Sequence, residues 1–110
     1  MQAETERHVE KLRKRTNDAK EELAQAKALF GDNDDKYLHS QIHRTSLMLD
    51  DVETIFLALF AQERMPPRTF AEESAVLSMA EFHLNEMALP LVRIIHTWAK
   101  QYGPAFKSIG

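Results

Sequence analysis

The sequence predicts an all-α fold: an antiparallel bundle of three long helices, the third kinked or split at Pro90, completed by homodimerisation. Two features predict the helices. The glycines are Gly31, Gly103 and Gly110 and the prolines Pro66, Pro67, Pro90 and Pro104, leaving stretches of about thirty residues rich in Ala, Leu, Glu, Met and Lys. Within each stretch apolar residues recur at steps of three and four, the period of an amphipathic helix. A third feature predicts the second copy: the last stretch is apolar on two sides, and a three-helix monomer buries only one. No repeat or low-complexity linker divides the chain, so one domain over 1–110 is expected, with helices at about 3–30, 35–64 and 70–102.

The first helix carries a narrow seam, Val9, Leu12, Thr16, Ala19, Leu23, Ala26 and Phe30, at alternating steps of three and four. Its middle is small, so a partner helix can approach closely. Gly31 suits the position just past the helix, where a left-handed backbone meets no Cβ clash. The following "GDNDD" reads as a turn that supplies acids to the N-terminus of the next helix, where the dipole favours them.

The second helix has an inner stripe of Leu38, Ile42, Thr45, Leu49, Val52, Phe56 and Leu59, widened by Met48, Ile55 and Phe60. "IFLALFA" (55–61) is apolar almost all round, so this end is expected to lie deep. "MPPR" (65–68) stops the helix, because proline donates no N–H and biases its predecessor away from the α region.

The third helix opens with a capping box, Thr69 as N-cap and Glu72 three residues on. The expected inner stripe is Val76, Ala80, His83, Met87, Leu91, Ile94 and Trp98, and Gly103-Pro104 is the stop. Pro90 has no cap residue before it, so a kinked continuous helix is preferred to two helices. The N–H that proline lacks frees the carbonyl of Glu86, which then needs another donor. A second apolar set, Leu77, Leu84, Ala88, Leu89, Val92, Ile95 and Ala99, is left over on the other side. A second copy of the chain is expected to cover it, since large apolar patches are rare on monomers and two-fold dimers are the commonest assembly. Residues 104–110, "PAFKSIG", are the alternative cover. The interface residues expected on this reading are Phe60, Leu84, Leu89, Val92, Ile95 and Trp98.

Composition narrows function mainly by exclusion. With no cysteine among 110 residues, a disulfide framework, a thiolate zinc site and cysteine catalysis are ruled out. A formal net charge of −3 gives no overall pull toward nucleic acid or an anionic membrane. "MQAETERHVEKLRKR" has no apolar core of a secretory signal, and no apolar run reaches the length of a membrane span, so a cytoplasmic location is expected. The serines at 40, 46, 74, 78 and 108 lack a glycine-flanked elbow for nucleophilic catalysis. "DNDDK" (32–36) fails as a calcium loop: counted from Asp32, the fifth, sixth and twelfth positions hold Lys36, Tyr37 and His43, where an oxygen ligand, glycine and glutamate are needed.

Three side-chain groups merit a place beside these exclusions. His39 and His43 stand one turn apart, a spacing by which two imidazoles can share a metal ion, and His83 with Glu86 could complete such a site. Against this, His39 and His43 fall about 100° and 140° round the helix from Leu38, away from the inner stripe, and the chain contains no Glu-x-x-His. His83 on the inner stripe reads first as a core histidine bonded to Thr16, Thr45, Ser78 or the carbonyl that Pro90 frees. "KLRKR" (11–15), with Arg7, Lys11, Lys14 and Arg15 as phosphate contacts, invites a nucleic-acid reading. Glu6, Glu10, Asp18, Glu21 and Glu22 surround it, however, and a salt-bridged, solvated face is the simpler account.

The function expected from sequence is therefore that of a small non-enzymatic helical protein, of the adaptor, inhibitor or regulator type. It would act through protein–protein interaction, as a homodimer and on an unidentified protein partner, with no cofactor. The alternative is a metal- or ligand-binding bundle using His39, His43, His83 and Glu86.

Overall fold

A computed structural model describes residues 3–57 and 69–109. These form α1 (Ala3–Phe30), α2 (Lys36–Leu57), α3 (Phe70–Phe82), a single wide π-helical stretch (His83–Ala88), α4 (Leu89–Tyr102) and a 3-10 turn (Gly103–Ala105). No strand occurs among the described residues. Phe60, Leu59 and the proline stop at 65–68 lie outside them.

The three helical runs pack side by side in a rod of 52 × 20 × 20 Å, the width that helices about 10 Å apart produce. α1 runs beside the third run in the same direction, with Thr5 against Glu73 near one end and Glu22 against His96 toward the other. α2 returns antiparallel to both.

In α1 every residue of the expected seam is buried, Val9, Leu12, Thr16, Ala19, Leu23, Ala26 and Phe30, and Thr5 extends it by one turn. α2 buries Leu38, Ile42, Thr45, Leu49, Val52 and Phe56, again the expected stripe, with Met48 and Ile55 packed half-buried beside it. Thr16 and Thr45 enter the core without an orphaned hydroxyl. Each donates to a carbonyl one turn back, Leu12 and Gln41 respectively, at 2.7 Å,. Gly31 adopts φ 59° and Gly103 φ 49°, the left-handed values that let both helices end abruptly. At the start of α3 the backbone N–H of Glu72 donates to the Thr69 hydroxyl at 3.1 Å, the cap expected there.

The third run departs from expectation in its facing. Its buried residues are Glu73, Leu77 and Ala80 in α3, Leu84 and Ala88 in the π stretch, and Val92, Ile95 and Ala99 in α4. Met87 and Ile94, expected inside, are 39% and 44% exposed. Two physical causes account for the reversal. Glu73, a residue that a hydrophobic count assigns to solvent, is 1% exposed, with its carboxylate 3.4 Å from the Thr5 hydroxyl. It opens a phase of 73, 77, 80 and 84 that the apolar pattern does not announce. A straight α-helix would carry that phase on to Met87, Leu91, Ile94 and Trp98. The wide turn instead inserts one extra residue, with the Leu89 N–H donating to the carbonyl of Leu84, five residues back,. Beyond it the core moves one position on, to Ala88, Val92, Ile95 and Ala99. The turn ends at Ala88, two residues before Pro90, whose ring would otherwise press on the carbonyl four residues earlier. The run is helical from Phe70 to Tyr102 with no other break.

Candidate interaction surface

The residues expected at an interface do not share one fate. Leu84, Val92 and Ile95 are 0%, 0% and 1% exposed and belong to the chain's own core, Leu84 through the phase that Glu73 opens and Val92 and Ile95 because the wide turn rotates them inward. Leu89 and Trp98 are half-buried against that core. The surplus apolar surface of the third run is real but lies on its other side: Met79, Phe82, Met87, Ile94 and Tyr102 are 55%, 60%, 39%, 44% and 54% exposed. Half-buried Val76, His83, Leu91 and Trp98 lie along this band.

Side-chain hydrogen bonds fix which neighbour each flank of the third run meets. His8 donates to Glu81 at 2.5 Å, His96 to Glu22 at 2.9 Å, and Arg15 to the Asn85 side-chain oxygen. The flank bearing 81, 85 and 96 therefore faces α1. At about 100° per residue, the band through Ile94 and Trp98 lies on the opposite flank, toward α2. On α2, Lys20 of α1 meets Glu53 at 2.5 Å and Asp50 at 3.2 Å, so the flank bearing Tyr37, Arg44, Met48 and Ile55 is left to the third run. Burial draws the Lys20 ammonium toward neutrality, but the hydrogen bonds it donates to Glu53 and Asp50 outweigh it and raise its pKa.

Residues 103–109 fold back over one end of this surface. The ring of Phe106 stacks on Trp98 at 5.3 Å and meets Phe30 edge-on at 5.7 Å. Two residues of the α1–α2 turn hold the segment from the other side. Asn33 donates to the carbonyls of Pro104 and Phe106 at 3.0 and 2.8 Å. One Asp35 oxygen accepts from the Ser108 N–H and hydroxyl at 2.8 and 2.9 Å, while the other caps α2 by accepting from the Leu38 N–H at 2.9 Å. The Ser108 and Leu38 amides hold the Asp35 carboxyl below its ordinary pKa,. The segment leaves an open groove of about 500 Å³ lined by Tyr37, Trp98, Tyr102, Phe106, Lys107, Ser108 and Ile109. Sequence reasoning named residues 104–110 only as a possible cover. Asp35, one of the acids it read as a helix start, also binds Ser108, a long-range role for which no local signal exists.

The histidine set does not assemble. Among the described residues no three His, Cys, Asp or Glu side chains stand together as a metal site. His39 is exposed and donates to the Asn33 carbonyl at 2.6 Å. His43 and Glu86 are exposed, and His83 is half-buried with its ring edge-on to Phe82 at 6.2 Å. Thr16 and Thr45, proposed partners of His83, spend their hydroxyls within their own helices. Arg7, Lys11, Lys14 and Arg15 are all exposed on α1, but Arg15 bonds to Asn85 and neighbouring Arg13 pairs with Glu10 at 3.3 Å. No described helix is long and apolar enough to cross a membrane.

Compared with protein-family models, with curated proteins and with solved structures, the chain matches none.

Proposed function

We propose that this protein is a small non-enzymatic helical bundle that acts through protein–protein interaction, as a homodimer, and that its working surface is the α2 flank of the third run. One observation carries the reading. Met79, Phe82, Met87, Ile94 and Tyr102 form an apolar band along a helix whose other face already fills the core. Solvent-exposed apolar area of this extent is unusual on an isolated small domain and marks an association surface. The bend expected at Pro90 belongs, on this reading, to the wide turn His83–Ala88, since prolines and π turns are the common seats of helix kinks. Sedimentation equilibrium of the purified chain tests the proposal. A reversible dimer at micromolar concentration, driven toward monomer by Ile94→Ser with helicity unchanged, is the expected result. A wild-type chain that stays monomeric at about 100 μM, far above the Kd of a specific standard-sized interface, would refute it.

A further inference from the structure

The charges beside the apolar band are segregated along the rod. On α2, residues 36–49 carry Lys36 and Arg44 and no acid, while 50–57 carry Asp50, Asp51 and Glu53 and no base. On the third run the sequence is antiparallel and so is the charge: 69–92 carries Glu72, Glu73, Glu81 and Glu86 with no Lys or Arg, and 93–109 carries Arg93, Lys100 and Lys107 with no acid. Tyr37 meets Trp98 and Tyr102 in one groove, so the basic halves of both helices lie at the same end and the acidic halves at the other.

Part of the acidic half is neutralised within the chain, since Asp50 and Glu53 meet Lys20. In the basic half the tip also holds Asp32, Asp34 and Asp35 of the α1–α2 turn, beside Lys107, but among the described residues no ion pair joins them to its bases. Lys36, Arg44, Arg93, Lys100 and Lys107 are all exposed, and none forms an ion pair among the described residues. Asp51 and Glu86 are likewise exposed with no ion pair there.

We infer that a second copy of the chain docks antiparallel on the α2 and third-run face, its acidic half against the basic half of the first. This rests on the proposal above that the band is a homodimer surface, and adds the orientation and the charge pairs. The spacing of the unpaired charges fixes the dyad. Arg44 and Asp51 are seven residues apart on one flank of α2, centred between Leu47 and Met48. Glu86 and Arg93 are seven apart on the third run, centred between Leu89 and Pro90. Counting about ten residues, or about 15 Å at 1.5 Å each, inward from the Tyr37–Trp98 end brings both centres to the same level. A two-fold axis there places Arg44 opposite Asp51 of the partner subunit and Arg93 level with Glu86 of the partner subunit, with each contact made twice. A parallel arrangement would set the basic half of one copy against the basic half of the other, a like-charge contact that costs association. The apolar band supplies the affinity, and the segregated charges select the orientation.

Charge reversal within the chain tests the inference. Arg44 and Asp51 are about 10 Å apart along one helix, too far to pair in a monomer, so any coupling between them reports the dimer. Arg44→Asp alone and Asp51→Arg alone are each expected to raise the dimer dissociation constant about ten-fold at low salt, and less at about 0.5 M salt. The double variant, Arg44→Asp with Asp51→Arg, should return it to within about three-fold of wild type, because both crossed pairs are restored with the signs exchanged. Circular dichroism confirms that each variant keeps its helices. A dimer indifferent to the single reversals, one strengthened by Arg44→Asp, or singles that weaken it without rescue would each overturn the antiparallel arrangement while leaving self-association intact. A wild-type monomer at all concentrations would remove the dimer itself.

Discussion

α1 and the third helical run lie side by side in the same rod, and they differ in how much of their packing is written in their apolar residues. α1 has one apolar face and a charged remainder, so its buried seam admits a single phase, and the structure uses it from Val9 to Phe30. The third run is apolar on two flanks, so burial alone fits two phases. The choice falls to features a hydrophobic count does not weigh: a buried Glu73, a wide turn at His83–Ala88, and the proline that follows it. A helix with a single stripe reveals its neighbours; a helix with two reveals only that something further must cover it.

The largest expected effect comes from removing one residue from each run. Deleting Asp18, an exposed residue of α1, would turn Ala19, Leu23, Ala26 and Phe30 by about 100° relative to Val9, Leu12 and Thr16. Leu23 and Phe30 alone represent about 1.5–3 kcal/mol of burial each, a large part of the stability of a domain this size. That variant is expected to lose its cooperative melt. Deleting Glu86 should do the opposite of what its place in mid-helix implies, because the wide turn already holds one residue more than an α-helix needs. Made together with Pro90→Ala, which removes the ring that a straight helix cannot accommodate, the deletion should keep helicity and a cooperative transition. Thermal melts followed by circular dichroism compare the two. If the Glu86 deletion abolishes the transition as the Asp18 deletion does, the extra-residue account of the wide turn is wrong.

A smaller effect separates the two flanks of the third run. Leu84→Ala should cost about 2–5 kcal/mol, the range for emptying a closed core site. Ile94→Ser should change chain stability by no more than about 0.5 kcal/mol when measured at a dilution where the chain is monomeric. Denaturant titration reads both. Ile94→Ser costing more than Leu84→Ala would reinstate the phase that the straight-helix count selects.

Three helices, two of the three buried faces, the Thr69 cap and the glycine stops were legible in the sequence, because each depends on residues within a turn or two of one another. The surplus apolar surface was legible as a quantity but not as a place. Leu84, Val92 and Ile95 entered the expected interface, and Met87 and Ile94 the expected core, through a single residue of phase. The role of residues 103–109 was less legible still. Phe106 reaches the core only after a Gly-Pro stop that locally reads as the end of the structure, and its anchors, Asn33 and Asp35, lie some seventy positions earlier. Asparagine and aspartate in a turn read as capping residues, which Asp35 also is. Nothing in their spacing signals that the same side chains bind a distant backbone. The proposed docking orientation rests instead on charge order, since a base-only and an acid-only stretch follow one another along α2 and along the third run without reference to helical phase.

The smallest expected effect concerns that closure and has a pH signature. Asp35 joins the α1–α2 turn to Ser108, and the amides of Ser108 and Leu38 hold its carboxyl below the ordinary value of 3.8. A carboxylate whose pKa is depressed on folding contributes fully above its unfolded pKa, and the contribution fades as pH falls through that value and on through the folded one. Acidification from roughly pH 5 to pH 2 should therefore release residues 103–109 ahead of any loss held in common with the rest of the bundle. Trp98 is the only tryptophan in the chain and stacks on Phe106 at 5.3 Å, so its fluorescence reports whether the segment is docked. In the wild type its emission should shift over that window while the helical signal holds. In Asp35→Ala no side-chain oxygen is left to accept from the Ser108 N–H and hydroxyl, so the shifted spectrum should already be present at neutral pH and the acid transition should disappear. Since α1 reaches this closure at its last turn, through Phe30, while α4 reaches it through Trp98 and Tyr102, hydrogen exchange in the variant should rise in the last turn of α4 and leave the middle of α1 unchanged. Equal exchange in both would mean that Asp35 supports the whole rod, and that the closure is no separate element of it.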